Sequence, residues 1–247
     1  MRSDPFWAEG GRTGILVLHG FTGSPASVLP WAEFLAASGY SVSAPRLPGH
    51  GTRWQDLNKT TWFDWYGQAE ASLIDLASRV DRIFLAGLSM GGALSVRLAE
   101  RHPELISGLI LVNPALVDPH GLIRRSSILR FFKATLKPTD SDIAKPDPPV
   151  HGYAETPLRA LYSLSLLLAD IRPRLAKIEI PILLFRSIQD HVVPSASSEA
   201  ILHEARSFDK KLILLENSYH VATLDYDAEI IHEQSLAFIK RLHFADE

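Results

Sequence analysis

The chain has 247 residues, 46% of them hydrophobic and 21% charged, with a formal net charge of −3 at pH 7, ten histidines and no cysteine. So much apolar material can bury a large core, which excludes disorder and leaves one globular unit, with or without an insertion. The near-even charge balance, without any Lys/Arg block to neutralise phosphates, excludes a nucleic-acid partner, and the missing cysteines exclude disulfides, a thiol nucleophile and thiolate metal sites.

In chain order, MRSDPFWAEGG comes first and carries Asp4, Pro5 and Glu9 where a secretory leader needs an apolar stretch. No later run reaches the ~18 apolar residues of a membrane-spanning helix, so a soluble cytoplasmic protein is expected. The segments GILVLHG (14–20), YSVSAPRL (40–47), RIFLAGLS (82–89), LISGLILVNPA (105–115), IPILLFRSIQD (180–190) and KKLILLENS (210–218) are short, rich in Val, Ile and Leu, and nearly continuous in apolar character. Strands covered on both faces have this composition. Between them lie helical segments, ASVLPWAEFLAASG, TWFDWYGQAEASLIDLASRV, GALSVRLAERHP, SASSEAILHEARSF and AEIIHEQSLAFIKRL. Alternating strand and helix predicts an α/β fold, a mostly parallel sheet flanked by helices. No internal repeat has a fixed period, which excludes solenoids and propellers.

The alternation lapses from Val117 to about Lys177, where no strand is expected. RRSSILRFFKATL reads as a helix, KPTDSDIAKPDPPVHGYAETP as turns, and LRALYSLSLLLADIRPRL as a second helix. This is longer than one crossover requires, so residues 117–177 read as an inserted helical cap on a core formed by 1–116 and 178–247. Leu158, Leu161, Leu164, Leu168 and Ile171 share one face of the second helix, while Tyr162, Leu166 and Leu167 widen the apolar surface. Such a helix needs cover on more than one side, either from the core or from an apolar ligand.

Gly87-Leu88-Ser89-Met90-Gly91 matches GxSxG, for which the chance expectation in a chain this long is on the order of 0.1. Its context adds weight, because RIFLAG closes a predicted strand and MGGALSVRLAER opens a predicted helix. A serine on that sharp turn lifts its hydroxyl above the sheet, and only small neighbours fit beside the incoming helix. The Met90 N–H then lies at a helix N-terminus, where an oxyanion would form. To act as a nucleophile Ser89 needs a base and an orienting acid. Loops after later strands offer both, Asp190 at the end of PILLFRSIQD and His220 in NSYH, at the carboxyl ends where such loops converge.

Competing residues fit less well. His191 adjoins Asp190 and cannot easily face both acid and serine; His50 in PGHG comes too early and reads as a loop tie. His102, His203, His232 and His243 fall within or at the ends of predicted helices and read as surface residues. Asp118, after LILVN, is the rival acid, while Asp225 and Asp227 read as helix-start residues. The second oxyanion donor is expected from LHGFTGSP, where the Phe21 N–H can turn back toward Ser89 and the Phe21 ring can wall an acyl site. HEQSL lacks the second histidine of a zinc-protease motif, and GHGTRW lacks the marks of a nucleotide loop, so no metal and no cofactor is implied.

LHGFTGSP, PRLPGHGT, GLSMGG, QDHVVP and NSYHVATLDYD, in that order, resemble the bacterial monoacylglycerol lipase and thermostable carboxylesterase family of α/β-hydrolases over nearly all the chain outside residues 117–177. The resemblance implies an α/β-hydrolase fold, Ser89 as nucleophile, His220 as base, Asp190 as acid, and Phe21 and Met90 amides as the oxyanion hole. The apolar cap helix points to a small-molecule ester with an apolar acyl chain as substrate. Leu161, Leu164 and Leu168, with Phe131, Phe132 and Tyr162 nearby, are expected to line its pocket, and short to medium chain esters, monoacylglycerols among them, fit. Other serine chemistry of the same fold (thioesterase, acyltransferase or carbon–carbon bond hydrolase) and a non-catalytic ligand-binding role are the alternatives. Arg124, Arg125, Arg130 and Lys133 read as a solvated face of the insertion. Nothing in the sequence sets the oligomeric state.

Overall fold

The computed structural model describes residues 3–118, 121–137, 142–146 and 152–244. In chain order its elements are β1 (Phe6–Ala8), β2 (Thr13–Leu18), α1 (Leu29–Ala37), β3 (Ser41–Ala44), α2 (Trp54–Leu57), α3 (Trp62–Ala77), β4 (Arg82–Leu88), α4 (Met90–Arg101) and β5 (Ile106–Val112). Then come α5 (Leu122–Leu129), β6 (Thr135–Leu136), β7 (Thr156–Pro157), α6 (Leu158–Ile171), β8 (Ile182–Ser187), α7 (Ser195–Glu204), β9 (Lys210–Leu215) and α8 (Ala228–Phe244). Seven strands form one sheet in the order β1-β3-β2-β4-β5-β8-β9, parallel except for β1, which runs antiparallel to β3. The mostly parallel sheet is the one that the six apolar runs imply, and its arrangement is the α/β-hydrolase fold that the resemblance implies. β1 adds an edge that three residues are too short to announce by periodicity.

Side-chain alternation explains why the central strands are apolar at nearly every position. Leu16, Leu18, Ile83, Leu85, Leu109, Leu111, Ile182 and Leu184 point to one face, where α3, α4 and α6 pack. Ile15, Val17, Phe84, Ala86, Ile110, Val112, Leu183 and Phe185 point to the other, against Trp31 and Leu35 of α1 and Ile231, Phe238 and Ile239 of α8. A period of two with both faces covered leaves no polar side. α3 begins at a capping box, in which the Thr61 N–H donates to the Asp64 carboxylate at 2.7 Å.

Three expectations for the region after β5 are corrected. β6 and β7 pair antiparallel, Thr135 with Pro157 and Leu136 with Thr156, so the stretch does hold strand; two-residue strands carry no periodic signal. Phe131 and Phe132 are 74% and 80% exposed instead of lining an interior pocket. They sit in the turn that ends α5, where the Phe132 N–H bonds the Leu129 carbonyl and directs both rings outward. Arg130, expected on a solvated face, lies over the half-buried Tyr162 ring at 3.6 Å; the side chain of Arg124 and, within the turn-rich stretch, residues 138–141 and 147–151 lie outside the described residues. α6 buries Leu158, Leu161, Leu164, Leu167, Leu168 and Ile171 against α3, α4 and α5, which is the cover on several sides that its broad apolar surface demands. Leu166 is the exception, 42% exposed. Among the described residues no helix is long and apolar enough to cross a membrane.

Candidate active site

The chain leaves β2 for β3 on one side and then crosses to β4 on the other, so the crevice above the carboxyl ends of these strands lies at the reversal of strand order, where ligands bind in open α/β sheets. The loops after β2, β4, β5, β8 and β9 meet there and carry Phe21, Ser89, Asn113, Asp190 and His220 in turn.

Ser89 caps α4 with φ 56° and ψ −117°, a backbone conformation that costs an L-residue on the order of 1–3 kcal/mol. Its N–H donates to the Val112 carbonyl at 3.0 Å, and its own carbonyl accepts the N–H groups of Ala93 and Ala115, both at 3.1 Å. These bonds hold the turn against its strain. Glycine is required on either side because the chain crosses itself: a Cβ on Gly91 would lie 2.1 Å from the Leu18 carbonyl oxygen, and one on Gly87 would lie 2.4 Å from the Gly91 carbonyl oxygen. Met90 begins α4, and its N–H has no acceptor four residues back within the helix.

Ser89 Oγ lies 2.9 Å from His220 Nε2, and His220 Nδ1 lies 2.8 Å from Asp190 Oδ2. A carboxylate only accepts, so Nδ1 carries the proton and Nε2 is left to accept from the Ser89 hydroxyl. The other Asp190 oxygen, Oδ1, accepts the Val192 and Val193 N–H groups at 2.8 Å each. The side chains of Asp190 and His220 are only 6% and 9% exposed, so water competes little for these bonds.

The loop after β2 is braced by a buried imidazole. The Leu47 N–H donates to His19 Nε2 at 3.2 Å, which leaves the proton on Nδ1 to donate to the Gly20 carbonyl at 3.0 Å. The Gly23 N–H donates to the same carbonyl at 3.2 Å. Carbonyl and N–H of one trans peptide point in opposite directions, so this double hold on Gly20 also fixes the aim of the Phe21 N–H. Gly20 itself adjoins Ser89: a Cβ there would be 3.9 Å from Ser89 Oγ. Burial pushes the pKa of His19 down to about 4, so the ring stays neutral and keeps this tautomer at physiological pH. His50, which does bond its own loop at the Pro48 carbonyl, packs behind this segment edge-on to His19, Phe21 and Trp65, and burial lowers its pKa as well.

Other candidates take different positions. His191 Nδ1 bonds Asp142 at 2.7 Å rather than Asp190. Asp118, half-buried after β5, is not the carboxylate that bonds the His220 ring. His203 is exposed, but two of the supposed surface histidines are half-buried, His102 bonded to Glu70 at 2.7 Å and His232 stacked on Phe34; the side chain of His243 lies outside the described residues. Asp225 and Asp227 lie at the start of α8, where the Asp225 carbonyl accepts the Ala228 N–H at 3.1 Å and the Asp227 carbonyl the Ile231 N–H at 3.2 Å, while their carboxylates turn to the preceding loop. Asp225 accepts the N–H groups of Ala144, Lys145, Tyr219 and Tyr226, and Asp227 accepts from Asn217, so both clamp the loop that bears His220. Leu161, Leu164 and Leu168 are buried in the apolar cluster that also holds Met90 and Val193 and on which Phe21 packs. A shallow cavity of about 380 Å³ lined by Ala99, Pro103, Ile180 and Arg206 lies at the opposite end of the sheet.

Asn113 is a site residue that the sequence does not mark beyond the Asn-Pro turn signal after a strand. At φ 43°, its side-chain N–H groups donate to Ser187 Oγ at 2.9 Å and to the His220 carbonyl at 2.8 Å, and its Oδ1 accepts the Ser187 N–H at 2.8 Å. It thereby ties the ends of β5 and β8 to the histidine loop.

Residues 11–227 match the family model described as "Serine aminopeptidase, S33". The chain is 41% identical over 242 residues to the thermostable monoacylglycerol lipase of Bacillus sp. (strain H-257), covering 97% of this chain and 95% of that one. It is 28% identical to a carboxylesterase of Bacillus subtilis (strain 168), with 96% of each chain covered. It also superposes with a TM-score of 0.94 and 40% identity on a solved structure from work on the metagenome-derived lipolytic enzymes LipS and LipT, over 97% of this chain and 98% of that one. Matches of this length and identity leave no part of the core unaccounted for: the chain belongs to this serine hydrolase family and is a serine ester hydrolase of the α/β-hydrolase fold.

Proposed function

We propose that the chain cleaves short to medium chain acyl esters, monoacylglycerols among them, through an acyl-enzyme on Ser89, with His220 as base, Asp190 as orienting acid and the Phe21 and Met90 amides as oxyanion donors. The observation that carries this reading is the unbroken path from Ser89 Oγ through His220 to Asp190, at 2.9 and 2.8 Å. In the first step Nε2 takes the hydroxyl proton as Oγ attacks the ester carbonyl, and Asp190 stabilises the imidazolium that forms. The two amides hold the tetrahedral oxyanion, each such donor contributing about 3 kcal/mol to the barrier reduction. Nε2 returns the proton to the departing alcohol. Water then attacks the acyl carbonyl as Nε2 takes its proton, and Nε2 passes that proton to Ser89 Oγ as the bond to the acyl group breaks and the acid leaves.

The acyl chain is assigned to Phe21, Leu161, Leu164 and Leu168, which belong to or pack on the apolar cluster that holds Met90, because apolar side chains favour hydrocarbon over a charged group. Residues 117–177, between β5 and β8, act as a cap over the crevice in this reading. The glycerol moiety rests on the substrate named for the Bacillus relative.

The test pairs a variant with a substrate series. Ser89→Ala should bring hydrolysis to near background and abolish fluorophosphonate labelling, and full activity in the pure variant overturns the nucleophile. Across p-nitrophenyl esters of increasing chain length and 1-monoacylglycerols, kcat/KM should rise from acetyl toward medium chains; no preference beyond acetyl removes the acyl site.

A further inference from the structure

The peptide groups on either side of the His220 ring are all bonded. The Tyr219 N–H goes to Asp225 at 2.9 Å, the Tyr219 carbonyl accepts from Ser187 Oγ at 2.8 Å, and the His220 carbonyl accepts from Asn113. The two remaining groups, the His220 and Val221 N–H, both donate to a residue far away in sequence, Asp142, at its Oδ2 and its backbone carbonyl, each at 3.0 Å. Asp142 lies between β5 and β8, in the stretch read above as the cap.

The same Oδ2 accepts a second amide, the His191 N–H at 3.1 Å, and Oδ1 bonds His191 Nδ1 at 2.7 Å. One carboxylate oxygen therefore bridges the residue next to the acid and the base itself. With the direct bond from Asp190 to His220, this closes a ring of contacts through Asp190, His191, Asp142 and His220. The Asp142 side chain is 11% exposed, and a carboxylate so withdrawn from water is tolerated because the loops that bear acid and base supply its donors. His191 shields it from outside, its ring edge-on to Tyr219 at 4.7 Å.

We propose that Asp142 is a positioning residue that sets the spacing of the acid and base loops and couples the cap to His220; this rests on the reading of Ser89 and His220 given above. The coupling is physical because the strand of chain around Asp142 is clipped twice to the base loop. Beyond the bonds of Asp142 itself, the Ala144 and Lys145 N–H groups donate to the Asp225 carboxylate at 2.7 and 3.1 Å. A displacement of this segment pulls on the backbone that carries the base. Without Asp142, the base loop keeps its anchors at Asn113, Ser187 and Asp225 but loses the strut to the acid loop, and the imidazole can tilt away from Ser89.

The experiment measures kcat and KM for a short-chain p-nitrophenyl ester in Asp142→Ala and Asp142→Asn, beside Ser89→Ala. A misplaced base lowers kcat on the order of 10²-fold in Asp142→Ala with KM nearly unchanged. Asp142→Asn should fall less, since its amide oxygen still accepts one of the two bridged N–H groups, and His191→Ala, which keeps its amide, less again. The downfield proton resonance of the His220 Nδ1–H should shift or broaden in Asp142→Asn, a signature that a general loss of stability in a folded protein does not produce. Wild-type kcat in folded Asp142→Ala, with hydrolysis abolished in Ser89→Ala, overturns the positioning role alone; hydrolysis retained in Ser89→Ala overturns the reading it rests on. Should both Asp142 variants melt below the assay temperature, the residue holds the fold at large and the proposal is overturned as well.

Discussion

Exchange of Asp190 for asparagine alters one group at the site and leaves its shape intact. Oδ1 accepts two backbone amides at 2.8 Å and Oδ2 accepts the His220 Nδ1–H at 2.8 Å. An asparagine has one oxygen to offer. If that oxygen faces His220, the new NH₂ meets the Val192 and Val193 N–H groups, and two inward-facing amides lose their acceptor at about 1–3 kcal/mol each. The cheaper orientation keeps the oxygen on the amides and points NH₂ at His220. Nδ1 must then accept, the proton moves to Nε2, and Nε2 has no lone pair for the Ser89 hydroxyl. The fold should survive while kcat falls on the order of 10⁴-fold, which is about 5 kcal/mol of lost transition-state stabilisation at roughly 1.4 kcal/mol per decade. Initial-rate kinetics with a p-nitrophenyl ester and the rate of fluorophosphonate labelling should fall together, with circular dichroism unchanged. A loss of less than about tenfold in a folded Asp190→Asn protein, or an equal collapse in Asp118→Asn, would refute the tautomer argument.

Two further outcomes follow from packing and burial. Gly91→Ala should cost at or beyond the top of the ~1–3 kcal/mol range of overpacking, because the clash is with the Leu18 backbone, which cannot rotate aside; calorimetry should register a melting temperature lower by on the order of 10 °C, with kcat reduced as Ser89 moves, and a variant that matches wild type in both measurements contradicts the close approach. His19 makes stability pH-dependent. Its folded pKa of about 4 lies below the ordinary 6.5, so the unfolded chain binds more protons between these values, and stability held above pH 6.5 is lost as pH falls toward 4. The loss from this group is about 3 kcal/mol over the window, and urea titrations at stepped pH should give a shallower slope for His19→Gln; an identical slope means that His19 is not the group being protonated.

Much of the fold was legible because its signals are local. Both-face burial makes each central strand a continuous apolar run, so six strands and the five helices between them can be read without knowing what they touch. Ser89 was legible for the same reason, since the turn, the strand before it, the helix after it and the glycines that let the chain cross itself all lie within a dozen residues. Asp190 and His220 could be placed by the loops that follow later strands, with Asp118 as the rival acid. The regions that misread are those where the local pattern is short or misleading: β1, β6 and β7 span two or three residues, and Phe131 and Phe132 look like pocket aromatics but emerge from a helix-ending turn.

By itself the sequence determined the alternating architecture, the tight turn that bears Ser89 and the order in which the loops of Asp190 and His220 arrive, because those depend on periodicity and on steric need for glycine near one turn. Only the tertiary structure decided how the three side chains are held. Asn113 reaches His220 across 107 residues, Asp142 reaches it across 78, and His19 braces Gly20 through an amide 28 residues away. An asparagine after a strand or an aspartate in a turn-rich stretch looks the same whether or not a distant loop needs its oxygen. Folding brings those donors and acceptors to 2.8–3.2 Å of one another, and burial then makes each bond costly to lose.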